Sequence, residues 1–215
     1  MSGSNVSGDV PFSCALRLPT GLVEARSPAG SRGDLAALVA GLCAAHGVKA
    51  EQVAEIRLDL GPGSYTGLRV AVTFVRFLQR FGSVSVLAVD SLALMASVAA
   101  GHAATGQRLR PLLDARRGRY HSALWKQERG RLTCLAEARA LPLAEVLADT
   151  AGGDLVVVPA VVHTQVGEDL RALGGQLHVV SGIAAADLFA ANLLLLECPP
   201  EALEPRYLMR SYAED

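Results

Sequence analysis

The stretch Gly61-Pro62-Gly63-Ser64-Tyr65-Thr66-Gly67-Leu68-Arg69-Val70 constrains this 215-residue chain more than any other. It falls between a short apolar run, residues 54–60, and a long run of helical periodicity, residues 67–81. Three glycines and a proline at such a junction predict a tight turn with open backbone amides leading into a helix. Ser64 or Thr66 can cap that helix by accepting from its first free N–H groups. Spacing rules out three familiar uses of such a loop. A P-loop needs Lys and then Ser or Thr after its last glycine, where this chain has Leu68 and Arg69. A dinucleotide fingerprint needs a third glycine where Thr66 stands. A nucleophile elbow does not place its serine directly after a glycine, as Ser64 follows Gly63.

The rest of the chain alternates around this junction. Residues 1–11 are small and polar and do not suit a buried strand. Residues 12–18 and 22–26 read as a hairpin through Pro19-Thr20-Gly21, and residues 34–46 as a helix opened by Asp34 and closed by Gly47. A strand at 54–60, the glycine turn, the helix 67–81 and a strand at 83–89 follow. Ser91 is read as the cap of a helix reaching about residue 100. Gly101 to Gln107 is a polar break and the expected domain boundary, giving halves 1–103 and 104–215.

Beyond the break the order restarts. Strands 109–115 and 120–126 flank the turn Arg116-Arg117-Gly118, and residues 131–137 add a third strand. A helix 142–149, a strand 154–158, a helix near 163–173, a strand 177–180 and a helix 184–196 complete the pattern. Each half is a strand meander followed by alternating helices and strands, so the expected class is α/β with an internal duplication. The first half, opened by the polar MSGSN, is expected to lack its first strand.

Charge and cysteine usage narrow the function. A formal net charge of -1 gives no electrostatic reason for general nucleic-acid or membrane binding. The basic residues are almost all Arg, with Lys only at Lys49 and Lys126, and the abundance of Ala marks this as a composition bias rather than a phosphate patch. Cys14, Cys43, Cys134 and Cys198 form no C-x-x-C pair, which argues against a zinc or redox site and suits a reduced cytosol. No signal-peptide order and no apolar run of membrane-spanning length is present, so a soluble cytoplasmic protein is expected.

Gly61 to Val70 resembles the signature loop of the TsaB family, also called YeaZ-type. Val89 to Ala96 (VDSLALMA), Pro111 to Leu124 (PLLDARRGRYHSAL) and Pro205 to Arg210 (PRYLMR) fit that family in order, and Ser13 to Leu16 (SCAL) suits its first hairpin. The resemblance implies a duplicated ribonuclease-H-like fold of the actin, sugar-kinase and Hsp70 superfamily. It implies a non-catalytic scaffold or activating subunit, not an enzyme alone, which pairs with the catalytic protein TsaD. With the ATPase TsaE, that pair supports threonylcarbamoylation of adenosine 37 in tRNA, so tRNA is met only through the complex. No cofactor or metal of its own is implied, with ATP or ADP at a partner interface left open.

The same resemblance places the partner interface on Gly61, Pro62, Gly63, Ser64, Tyr65, Thr66 and Gly67 and along the next helix. Arg69, Thr73, Arg76 and Arg80 recur there in steps of four, three and four, which makes one polar stripe. Where the family carries small residues this helix has Ala71, Thr73, Val75 and Phe77, and Gly30-Ser31-Arg32-Gly33-Asp34 replaces a His-Ser-Glu-type segment. Bulkier side chains there demand a changed partner or face the core. Superfamily members that bind nucleotide carry an acid and a Ser or Thr after their first strand. Those positions fall near Val6 and Ser7 here, with Asp9 the only acid close by.

Two other readings use different residues. Asp114, Arg116 and Arg117 at the second hairpin could grip a phosphate, which would suit a nucleotide-binding enzyme of the same fold. Against it stands a plain charged turn in which Gly118 supplies positive φ. Ser64, His121 and Asp59 could be proposed as a hydrolase trio, but no spacing brings them together. A homodimer that has left the pathway is a third possibility.

Overall fold

A computed structural model describes residues 12–28, 33–172, 174–193 and 195–208. The chain folds as two compact units. Unit 1 takes in the chain up to Ser91 together with Ile183–Ala190 and Leu194–Arg206, and unit 2 spans Leu92–Gly182, with Ala191–Leu193 and the segment from Tyr207. The polar break at residues 101–107 lies inside unit 2, because the preceding helix is buried there from Leu92 through Ala96.

In unit 1, strands β1 (Ser13–Leu18) and β2 (Gly21–Arg26) form an antiparallel hairpin in the register Ser13↔Arg26 to Leu18↔Gly21. Helix α1 (Leu35–Ala45) follows, capped by Asp34, whose carboxylate accepts from the Ala37 N–H. Strand β3 (Glu55–Asp59) lies parallel to β4 (Ser85–Val89), and helix α2 (Tyr65–Phe81) makes the crossover between them. The periodicity of α2 decides what it packs: Leu68, Ala71, Val72 and Val75 repeat on one face and are buried. They join Ile56, Leu58 and Val86 in the core of unit 1.

Unit 2 holds a five-stranded sheet. After α3 (Ser91–Ala99, whose first residue belongs to unit 1) come β5 (Arg108–Asp114), β6 (Arg119–Glu128), β7 (Arg131–Pro142), α4 (Leu143–Asp149), β8 (Leu155–Pro159), α5 (Ala160–Ala172) and β9 (Gln176–Val180). The strand order is β7-β6-β5-β8-β9, with β5 antiparallel to β6 and parallel to β8. Strand β8 reads Leu-Val-Val-Val-Pro and all five residues are buried, as a central parallel strand covered on both faces requires. Val156 and Val158 pack against Val162, Val166 and Leu170 of α5.

The series β6-β7-α4-β8-α5-β9 repeats β1-β2-α1-β3-α2-β4 element for element, so the expected duplication is present. Strand β5 joins the meander of unit 2 to its parallel strands. Among the described residues unit 1 has no counterpart to it, and β1-β2 and β3-β4 form separate sheets. The expected missing strand concerns residues 1–11, and these, with Val6, Ser7 and Asp9, lie outside the described residues. So do Gly30, Ser31, Arg32, Met209 and Arg210.

Three local expectations are corrected. The helix read at 184–196 is a 3-10 turn, Ala185–Phe189, and Leu196–Glu197 forms a short strand, β10, antiparallel to β4. Tertiary pairing overrides helix propensity there: Leu196 and Glu197 pair with Ala88 and Leu87, and Leu188 is fully buried. Strand β7 runs on to Pro142 instead of stopping near Glu137, because register shifts around Leu124 keep it paired with β6. Ser91 does not cap α3: it is the first residue of that helix, and its hydroxyl points to Asp59.

Candidate functional site

The glycine loop is fixed from beneath by a buried carboxylate. Asp59 ends β3 with no exposed surface, and its Oδ1 accepts from the Gly61 N–H at 2.9 Å and from the Ser91 hydroxyl at 2.7 Å. The Ser91 N–H donates back to the Gly61 carbonyl at 2.8 Å, so strand end, loop and α3 share one network. The C-terminal segment closes it from another side. The Arg206 N–H donates to the Leu60 carbonyl at 2.7 Å, and the Arg206 guanidinium pairs with Asp90 at 2.9 Å.

Only glycine fits at position 61. Its φ of 100° lies in the region that glycine favours, and a Cβ there would sit 2.5 Å from Leu68 Cδ1. Ser64 caps α2 as expected, its Oγ accepting from the Gly67 N–H at 3.3 Å while its carbonyl takes the Leu68 N–H at 2.9 Å. The amides of Gly61, Gly67 and Leu68 are therefore taken by the loop's own acceptors. An anion cradle needs such groups turned outward. This loop spends them on aiming the helix.

Helix α2 shows what the loop aims. It begins at Tyr65, two residues ahead of the sequence expectation. Arg69, Thr73, Arg76 and Arg80 are exposed, as the expected stripe requires. The Arg69 guanidinium donates to the Tyr65 hydroxyl at 2.8 Å and lies 5.2 Å from that ring's centre. Arg76 reaches Glu204 at 3.6 Å, an exposed pair of small energetic weight. The four family-small positions separate: Ala71 and Val75 are buried in the core, while Thr73 and Phe77 face outward.

Sequence reasoning missed two apolar members of this surface. Val70 is 40 % exposed and Phe81 76 % exposed, beside Phe77 at 59 %, and the Phe77 and Phe81 rings lie 4.7 Å apart. Counting apolar residues that fall outside the buried repeat 68, 71, 72, 75 would have found them. Asp59 was also missed as the loop's anchor. Its two-residue distance from Gly61 is the local signal, but the Ser91 contact spans 32 residues.

The second candidate lies in unit 2. Arg116, Arg117 and Gly118 have φ of 69°, 54° and 69°, so the expected positive φ at Gly118 extends to two arginines. The turn closes on itself: Asp114 Oδ1 accepts from the Arg116 N–H at 2.7 Å, and Arg119 N–H donates to the Arg116 carbonyl at 3.0 Å. Both arginines are exposed. On the adjoining strand His121 is buried, and its Nδ1 has no hydrogen-bond partner among the described residues. Burial pushes the His121 imidazole down to about 4, with Asp114 pulling weakly the other way. The Ser64–His121–Asp59 trio does not form a catalytic relay: Asp59 and Ser64 are engaged in the loop, and no carboxylate bonds His121 Nδ1. Among the described residues no helix is long and apolar enough to cross a membrane.

Comparison with known proteins places this geometry. A family model described as TsaD: tRNA N6-adenosine threonylcarbamoyltransferase matches residues 31–191. A curated relative, the tRNA threonylcarbamoyladenosine biosynthesis protein TsaB of Bacillus subtilis (strain 168), is 33% identical over 97 residues. That stretch is 45% of this chain and 41% of the relative, so the match spans well under half of the relative's length. The solved structure of YeaZ from Pseudomonas aeruginosa aligns over 94% of this chain and 96% of its own, with a TM-score of 0.72 at 21% identity. A second structure, an uncharacterized protein with similarity to peptidase YEAZ from the same organism, aligns over 95% and 96% with a TM-score of 0.70 at 22% identity. The fold is therefore the duplicated, actin-like and ribonuclease-H-like one.

Proposed function

Because this chain belongs to the family of the TsaD model, as a divergent TsaB (YeaZ)-type member, we propose that it is a non-catalytic subunit that pairs with a TsaD-type protein in threonylcarbamoyladenosine modification of tRNA. One observation carries the proposal: the conserved-looking chemistry of the loop is consumed internally, while the helix it launches exposes a large surface. Asp59, Gly61, Ser64 and Gly67 bond one another or Ser91, leaving no free acid or nucleophile in the loop. Val70, Phe77 and Phe81 meanwhile stand open beside three arginines on one helix. Exposed apolar side chains of that size, clustered and rimmed by charge, mark a protein-binding surface.

On this reading the residues that meet the partner are Arg69, Thr73, Arg76, Phe77 and Arg80, with the loop from Gly61 to Gly67 acting as their brace. The protein works in the cytoplasm and touches tRNA only through the complex. The experiment is a tagged copy expressed in its own organism, with affinity capture and mass spectrometry of tRNA nucleosides from a deletion strain. Capture of the TsaD-type protein, with loss of threonylcarbamoyladenosine in the deletion, is the expected result. Unchanged tRNA in a clean deletion rejects the proposal.

A further inference from the structure

The outward face of α2 is divided lengthwise. Arg69, Arg76 and Arg80 run along one flank, and Val70, Phe74, Phe77 and Phe81 along the other. The apolar set recurs in steps of four, three and four, the spacing of the seam along which two helices pack side by side. Phe74 is half-buried and ties this seam to the core of unit 1, while the other three are exposed. A seam of that spacing, more than two turns long, is shaped for another helix rather than for a loop or a small ligand.

We infer that this seam receives a single amphipathic helix of the TsaD-type partner, one that presents apolar side chains to Phe77 and Phe81 and carboxylates to the arginine flank. The inference rests on the function proposed above and adds the chemistry of the partner's contact. Charge selects this occupant over a second copy of the chain. Helix α2 carries three arginines and no Asp or Glu, so two copies packed along the seam offer each other no counter-charge. Size sets the geometry. Two phenylalanines on the contact line hold the helix axes toward the wide end of the roughly 8–10 Å range. The partner helix therefore needs small or shallow side chains opposite the rings. The two rings, already 4.7 Å apart, form one anchor that a single pocket can take.

Isothermal titration of the purified full-length protein with the TsaD-type subunit of its own organism tests this directly. Phe77→Ala combined with Phe81→Ala should weaken binding on the order of 100-fold, as expected for a paired aromatic anchor. Arg69→Glu combined with Arg80→Glu should weaken it about 10-fold or more, mainly by slower association, and should flatten its salt dependence. Both pairs are exposed, so circular dichroism and the thermal midpoint should match wild type. Wild-type binding that neither variant alters overturns this inference and leaves the proposed function standing. A wild-type chain that fails to bind the subunit overturns both. Self-association in analytical ultracentrifugation, abolished by the phenylalanine pair, assigns the seam to a second copy and overturns it as well.

Discussion

Each unit turns out of a strand beside one buried polar side chain, and the two side chains are treated in opposite ways. Asp59 is wholly buried, yet a backbone N–H and a serine hydroxyl donate to it. His121 is buried with its Nδ1 unbonded, and burial pushes its pKa down to about 4. A buried polar group must either be paired or give up its charge, and the two turns show the two solutions. The consequences differ. The Asp59 turn is a fixed brace whose position is set by groups on β3, α3 and the C-terminal segment. The turn at Asp114 to Gly118 is held by its own backbone and carries two arginines in a left-handed conformation.

The contrast can be broken at three points. Asp59→Ala leaves the Gly61 N–H and the Ser91 hydroxyl without their acceptor. A loss of about 4 kcal/mol is expected, read as a lower urea midpoint at unchanged slope. A loss under about 1 kcal/mol would show that the loop is not anchored there. His121 should act through pH. Its folded pKa lies below that of the unfolded imidazole, so its contribution is fully present above about pH 6.5 and is lost as pH falls toward 4. The total is on the order of 3 kcal/mol, and His121→Leu should remove that slope from a plot of stability against pH. The smallest effect should be a gain. Arg116→Gly relieves a left-handed arginine at φ 69° and should raise stability by about 1 kcal/mol, seen as a higher thermal midpoint. A fall would mean that the Arg116 side chain is held in a contact of its own.

Much of this was legible in residue order. The glycine loop, its serine cap, the basic stripe and the duplicated alternation of strands and helices rest on local spacing, and the structure carries them. What was not legible depends on residues far apart in the chain. Ser91 looks like a helix cap until Asp59, 32 positions earlier, claims its hydroxyl. The run after Asp187 has the apolar density of a helix, but Leu196 and Glu197 find β4 and extend. Phe77 read as a bulky intrusion into an interface, because a sequence alone does not separate an outward phenylalanine from an inward one. Its exposure beside Phe81 turns that intrusion into a probable contact of its own kind.

The short strand β10 carries a consequence for how the chain is made. Leu196–Glu197 completes the sheet of β3 and β4, and Cys198 and Leu203 complete the same core as Ile56 and Leu58. The half encoded first is thus finished by residues that leave the ribosome last. Every strand of the unit 2 sheet has been synthesised by Val180, before β10 exists. During synthesis the later half can close while the earlier one still waits for its final strand.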